Sequence, residues 1–174
     1  EKDPKSLLIA GAVGPYGAYL ANGAEYTGDY HLSSDEYRAF HQLRLRALVE
    51  AGADFLGIET PARLDEVKVI LDMIEKLDAA AWVTFTLKDS GHIADGTPIE
   101  EAAEVCGKHP LVDAIGINCV KREGVAEALR RISSVTNKPM IVYPNSGETY
   151  DPSTKTWHHP VTGPGWENFI SKWK

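Results

Sequence analysis

Two side chains in this sequence close short apolar runs with a reactive group. Cys119 ends Gly116-Ile117-Asn118-Cys119, and Glu59 ends Phe55-Leu56-Gly57-Ile58-Glu59. Runs of this length are strand-like, so each group would be delivered to the tip of a buried strand. A thiol in that place has two functional readings. As a nucleophile it needs a nearby base or a helix N-terminus to make the thiolate. As a metal ligand it needs further donors, three or four in all. The plain alternative is a small buried apolar residue, the usual state of a free cysteine. A carboxylate at a strand tip cannot be left unpaired in an apolar setting. Glu59 therefore either starts the helix that follows Pro61 or holds the ammonium group of a ligand.

Further candidates carry less. Asn145 lies in Tyr143-Pro144-Asn145-Ser146-Gly147-Glu148, a turn signal that at a strand end could also bind a polar ligand. Thr86 closes another apolar run. Residues 11–17 turn tightly after a strand but contain neither GxGxxG nor a P-loop lysine, which argues against nucleotide phosphates. His158 and His159 are adjacent and would point apart, so a solvated loop pair suits them better than one shared ion. Cys106 falls on the apolar stripe of a helix and reads as core.

The elements that must position these groups follow from the pattern. Residues 7–13, 54–58, 81–87, 112–118 and 140–143 read as strands. Ser33 with Glu36 three residues on is a capping box. It opens a helix with Tyr37, Phe40 and Leu48 on its apolar side and Gly52 at its end. Leu64, Val67, Leu71 and Ile74 recur at helical spacing. Thr97, Pro98 and Glu100 combine an N-cap, a proline at N1 and a glutamate at N3. They head a helix whose stripe is Ile99, Ala102, Ala103 and Cys106. Val125, Leu129 and Ile132 mark another helix, stopped by Asn137 and Pro139. Residues 14–29 and 88–96 read as loops, and residues 150–174 as a long loop before a short helix near 166–173.

Five strands alternating with helices predict βαβ units and a parallel α/β sheet. A doubly wound sheet fits that count. A (β/α)₈ barrel fits the chemistry better, because Glu59, Thr86, Cys119 and Asn145 all fall at C-terminal strand ends, where barrels build their sites. A complete barrel takes roughly 250 residues and eight strands, more than these 174 residues hold.

Composition narrows the partners. The chain has 18 Lys and Arg against 25 Asp and Glu, a net charge of -7, with no basic cluster. This excludes nucleic acid and anionic membrane as main partners. No run approaches the roughly 18 apolar residues of a membrane span. The opening Glu1-Lys2-Asp3-Pro4 does not read as a signal peptide. Two cysteines without a CxxC pair are no disulfide framework, so a reducing cytoplasm is expected.

Several segments occur together and in order: residues 12–18, residues 21–30, Ile58-Glu59-Thr60, Asp95-Gly96-Thr97-Pro98, Gly116-Ile117-Asn118-Cys119, residues 143–148 and Thr156-Trp157-His158-His159. As a set they resemble the homocysteine S-methyltransferase family, in the branch using S-methylmethionine or S-adenosylmethionine as methyl donor. The resemblance spans nearly the whole chain. It implies a zinc-dependent TIM barrel of which residues 1–174 form part of a single domain, about strands three to seven. It implies Cys119 as one zinc ligand; the family's other two, a cysteine pair after the eighth strand, have no counterpart before Lys174. It implies Glu59 as the group that holds the amino group of L-homocysteine. Asn145 and residues 14–17 would line the same mouth, with Thr86 a weaker candidate.

The implied reaction transfers methyl from a sulfonium donor to the homocysteine sulfur, giving methionine. A thiol is mostly protonated at neutral pH, and zinc in a soft thiolate site would bind it as thiolate. The protein then supplies deprotonation, proximity and alignment. Two rival readings are a different barrel metalloenzyme and a non-catalytic half-barrel that binds a small amino acid through Glu59 without metal. Metal content separates them.

Overall fold

The computed structural model describes residues 7–151, 154, 156–158 and 165–173. The first strand, β1, is Ala10–Val13, shorter than the apolar run suggests: Leu7, Leu8 and Ile9 stay exposed, although the Ile9 carbonyl accepts from the Asp54 and Phe55 N–H groups at 2.8 and 3.3 Å. The segment read as a loop contains two single-turn helices, α1 (Tyr16–Tyr19) and α2 (Ala24–Thr27). The long helix α3 (Ser34–Glu50) starts on the expected capping box: Ser33 Oγ accepts from the Glu36 N–H, and Glu36 accepts from the Ser33 N–H. Tyr37, His41 and Leu45 make its buried face, with Phe40 and Leu48 only half-buried. Strand β2 (Phe55–Glu59) leads to α4 (Leu64–Leu77), whose buried stripe includes Leu64, Val67, Leu71 and Ile74 as the spacing predicts. Strand β3 (Ala81–Phe85) is followed by a small antiparallel hairpin, β4 (Leu87–Asp89) with β5 (His92–Ile93), in place of the expected loop.

Helix α5 is Ile99–Gly107, and here the expected cap is corrected. Pro98 occupies the N-cap position, with no side-chain cap. The Thr97 N–H is taken by Asp95 Oδ1 at 2.8 Å. Asp95 Oδ2 also accepts the Leu64 N–H at 3.0 Å, so one carboxylate closes the turn before α5 and caps the start of α4. Strand β6 (Val112–Asn118), helix α6 (Val125–Ser133) and strand β7 (Met140–Tyr143) follow where the pattern puts them. The tail holds a second hairpin, β8 (Thr149–Asp151) with β9 (Thr156–His158), and the short helix α7 (Trp166–Ile170). Of the pair His158 and His159, only His158 lies within the described residues.

The main sheet has strand order β1-β2-β3-β6-β7, all parallel, each strand beside the one before it in this series. A doubly wound sheet needs a reversal of strand order; there is none here. Helix α3 packs on α4, α4 on α5 and α5 on α6, so the helices share one face of the sheet. The core lies in that layer: Val13, Leu56, Ile58, Val83, Phe85, Ile115 and Ile117 meet Leu45, Val67, Ile70, Ile74, Ile99 and Ile132. Each such side chain contributes about 1.5–3 kcal/mol on burial. Alternate strand residues point the other way. On that inner face the Trp82 ring lies over Gly57, where a Cβ would stand 2.8 Å from the ring. This is a singly wound sheet with helices outside and side chains inside, the construction of a (β/α)₈ barrel.

Candidate functional site at the strand ends

The C-terminal ends of the strands carry the candidate groups. Glu59 is the last residue of β2, Asn118 the last of β6 and Tyr143 the last of β7. Thr86 and Cys119 immediately follow β3 and β6. A cleft of about 430 Å³ opens here, lined by Thr86, Cys119 and Asn145 together with Tyr26, Lys121 and Glu123. The Asn145 N–H donates to the Val120 carbonyl at 2.9 Å, which holds the β7 end against the turn after Cys119.

Cys119 is half-buried and adopts φ +54°, the left-handed region. Thr60, just after Glu59, has φ +61°. A β-branched residue in that region is a strained outlier, held only where the surroundings over-determine it. The Thr84 carbonyl, which accepts the Thr60 N–H at 2.9 Å, provides part of the determination, and Asn118 provides the rest. It is 2% exposed. Its Oδ1 accepts the Thr60 N–H at 3.1 Å, and its Nδ2 donates to Thr60 Oγ1 at 2.8 Å and toward Cys119 Sγ at 3.5 Å. The Thr60 hydroxyl donates to Cys119 Sγ at 3.7 Å. The Cys119 N–H donates to the Tyr143 carbonyl at 3.3 Å. The tips of β2, β6 and β7 are thus tied together around one sulfur.

Glu59 receives a hydrogen bond on Oε1 from the Tyr143 hydroxyl at 2.7 Å, and that hydroxyl stands 2.8 Å from Thr84 Oγ1. Burial, offset in part by the Thr84 contact and reinforced by the Glu59 charge, pushes the Tyr143 phenol up to about 12. Tyr26 is also raised, by burial first and then by the charges of Cys119 and Glu25. Cys106 is fully buried in the helix layer, and burial pushes its thiol up to about 12.

The structure therefore brings Glu59, Cys119, Asn145 and Thr86 to one end of the sheet. It does not bring residues 14–17 into the cleft with Cys119. Gly14 and Pro15 line a separate groove with Phe40, Leu43 and Arg44 on the α3 side. The β1 loop reaches the cleft through Tyr26 instead. Sequence reasoning missed Asn118, Thr84 and Tyr143 as site residues. The signal was there for two of them: like Glu59, Asn118 and Tyr143 are polar groups closing apolar strands. Thr60 left no such trace, because a backbone angle has no letter in the sequence.

Among the described residues no three His, Cys, Asp or Glu side chains converge as a metal site. Cys119 offers one soft sulfur donor at the mouth, which suits zinc as a single ligand of a larger set.

The family described as Homocysteine S-methyltransferase matches residues 1–173. The chain is 48% identical over 155 residues to the Homocysteine S-methyltransferase of Escherichia coli (strain K12), covering 88% of this chain and 50% of that protein. It is 47% identical over 152 residues to Homocysteine S-methyltransferase YbgG of Bacillus subtilis (strain 168), covering 87% of this chain and 48% of that protein. It superposes on the crystal structure of the metallated form of the homocysteine methyltransferase MmuM from Escherichia coli with a TM-score of 0.82 and 40% identity, over 96% of this chain and 52% of that one. The chain thus spans about half the length of the curated relatives it matches.

Proposed function

This chain belongs to the homocysteine S-methyltransferase family, and we propose that the protein it forms moves a methyl group from a sulfonium donor, S-methylmethionine or S-adenosylmethionine, to L-homocysteine, giving methionine. The observation that carries the reading is the pairing of a thiol and a carboxylate at one mouth. Thr60, directly after Glu59, reaches Cys119 Sγ, and Tyr143 touches both the Glu59 carboxylate and the Cys119 N–H.

In this proposal Cys119 is the ligand this chain supplies to a zinc ion. The metallated form of the Escherichia coli relative supports a metal. When bound, such an ion keeps the substrate sulfur as thiolate at neutral pH. Glu59 holds the substrate ammonium by a charge-assisted bond. Asn145 and Thr86 wall the cleft and limit how the amino acid can lie. The homocysteine sulfur lone pair forms the new S–CH₃ bond as the donor's C–S⁺ bond breaks. The donor leaves as a neutral thioether, and the thiol proton goes to solvent. Charge is lost in the step, so a half-buried mouth favours it over bulk water. Alignment is the main contribution of the protein. A reducing, cytoplasmic setting is part of the same proposal, since a ligand thiol must stay unoxidised.

The test is Cys119→Ser in the intact protein that carries this chain. Metal content by atomic absorption and methionine formation with each sulfonium donor should both collapse, because a hydroxyl replaces a thiolate poorly on zinc. Full zinc and full turnover would overturn the assignment.

A further inference from the structure

We propose that Tyr143 is a positioning residue for Glu59, with Thr84 setting the direction of its hydrogen bond, so that one carboxylate oxygen is committed inside the protein and the other is kept for the substrate ammonium. This deepens the function proposed above and rests on its assignment of Glu59.

The geometry fixes the direction of every bond. Glu59 ends β2 and Tyr143 ends β7, with β3 and β6 between them in the sheet. The tyrosine ring spans that gap on the inner face. Its hydroxyl lies 2.7 Å from Glu59 Oε1 and 2.8 Å from Thr84 Oγ1. An ionised carboxylate only accepts hydrogen bonds, and a tyrosine has a single O–H. The Tyr143 proton therefore goes to Glu59, and Thr84 must donate to the Tyr143 oxygen. Thr84 is completely buried, so its hydroxyl needs this internal partner. The result is a one-way chain from Thr84 through Tyr143 to Glu59 Oε1. Among the described residues, Glu59 Oε2 takes no hydrogen bond.

A glutamate on a strand tip has three free torsions, and freezing them when the ligand arrives weakens binding. Tyr143 fixes them beforehand. The main chain makes the same arrangement possible. Gly116, paired with both Thr84 and Ile141, has no side chain where a Cβ would stand 1.7 Å from the Ile141 carbonyl oxygen. Strand β7 can therefore sit close enough for Tyr143 to reach across. The consequence is specificity: the site is set for an amino acid thiol and not for a thiol carboxylate without the amino group.

The experiment compares L-homocysteine with 4-mercaptobutanoate, which lacks only the amino group, by calorimetric binding to the intact protein. The variants are Glu59→Gln, Tyr143→Phe, Thr84→Val and Thr84→Ser, with circular dichroism and urea midpoints reporting the fold. Without Tyr143 the Glu59 side chain must be immobilised when the ligand binds, which predicts that Tyr143→Phe weakens homocysteine about three- to tenfold. Binding of 4-mercaptobutanoate should not change. Adding Tyr143→Phe to Glu59→Gln should cost nothing more, and Thr84→Ser should restore what Thr84→Val loses. Equal weakening of both thiols by Tyr143→Phe and Thr84→Val, or no weakening at all, would overturn the positioning role while leaving Glu59 in place. If Glu59→Gln itself treats both thiols as the parent does, the assignment of Glu59 falls, and this inference with it.

Discussion

Cys106 and Cys119 show how far surroundings decide what a residue does. Cys106 sits in the helix layer with no exposed surface and a thiol pushed up to about 12 by burial. Cys119 is half-buried, faces an open cleft and has two polar side chains directed at its sulfur. Reactivity follows the thiolate and its access. Iodoacetamide at neutral pH should therefore label Cys119 in the folded chain and spare Cys106, which reacts only after unfolding. Peptide mass spectrometry reads the two sites separately. Labelling of Cys106 at the rate of Cys119 would mean that the helix layer opens far more readily than its packing implies. The strain at Thr60 and Cys119 belongs to the same scale. The left-handed residues after β2 and β6 share one buried amide, Asn118, besides their backbone bonds to the Thr84 and Tyr143 carbonyls, which makes that asparagine a part of the site although it faces no solvent.

At the scale of elements, close approach of backbones matters more than side-chain volume. Strand β6 carries Gly116 where β7 pairs closely beside it: a Cβ there would lie 1.7 Å from the carbonyl oxygen of its register partner Ile141. A backbone atom cannot swing aside as a side-chain tip can. Gly116→Ala should push β7 away from β6 and destabilise the fold by about 1–3 kcal/mol, the usual range for overpacking. The displacement would also draw the Tyr143 hydroxyl away from Glu59. Urea unfolding measures the first effect, and the second appears as weaker homocysteine binding. An alanine variant as stable as the parent would show that β6 and β7 are not held as described. Asp95 does comparable work for the helices, since one carboxylate caps α4 and closes the turn leading to α5.

At the scale of the whole molecule, the sheet has two outer strands, β1 and β7, each paired on one side only among the described residues. Leu7, Leu8 and Ile9 are 75%, 68% and 65% exposed. The inner face is open as well: Phe55, Trp82, Ala114 and Pro139 line a groove of about 420 Å³. Free strand edges and uncovered apolar surface recruit other chains. Residues 1–174 expressed alone should therefore self-associate in sedimentation velocity, hold less than one zinc per chain and form no methionine. A monomer with stoichiometric zinc and turnover would show that half of the relatives' length suffices for the site.

Much of this was legible without coordinates. Strand and helix positions follow from periodicity, which is a local property: β6 and β7 and the buried stripe of α4 appear where apolar spacing puts them. Glu59 and Cys119 could be picked out because a polar group closing an apolar strand must meet something. The short motifs, taken together, carried the family. What needed the fold were the relations between distant segments. Thr97 looked like a helix cap, but Asp95 competes for its N–H, and no local rule weighs that competition. Residues 14–17 looked like the lip of the site, but the chain turns back at α1 and α2 and presents Tyr26 in their place. The Thr84–Tyr143–Glu59 chain joins residues 59 and 84 positions apart in sequence. Periodicity reports which face a side chain lies on; which groups meet across that face depends on strand order and register, and those are fixed only when the whole sheet assembles.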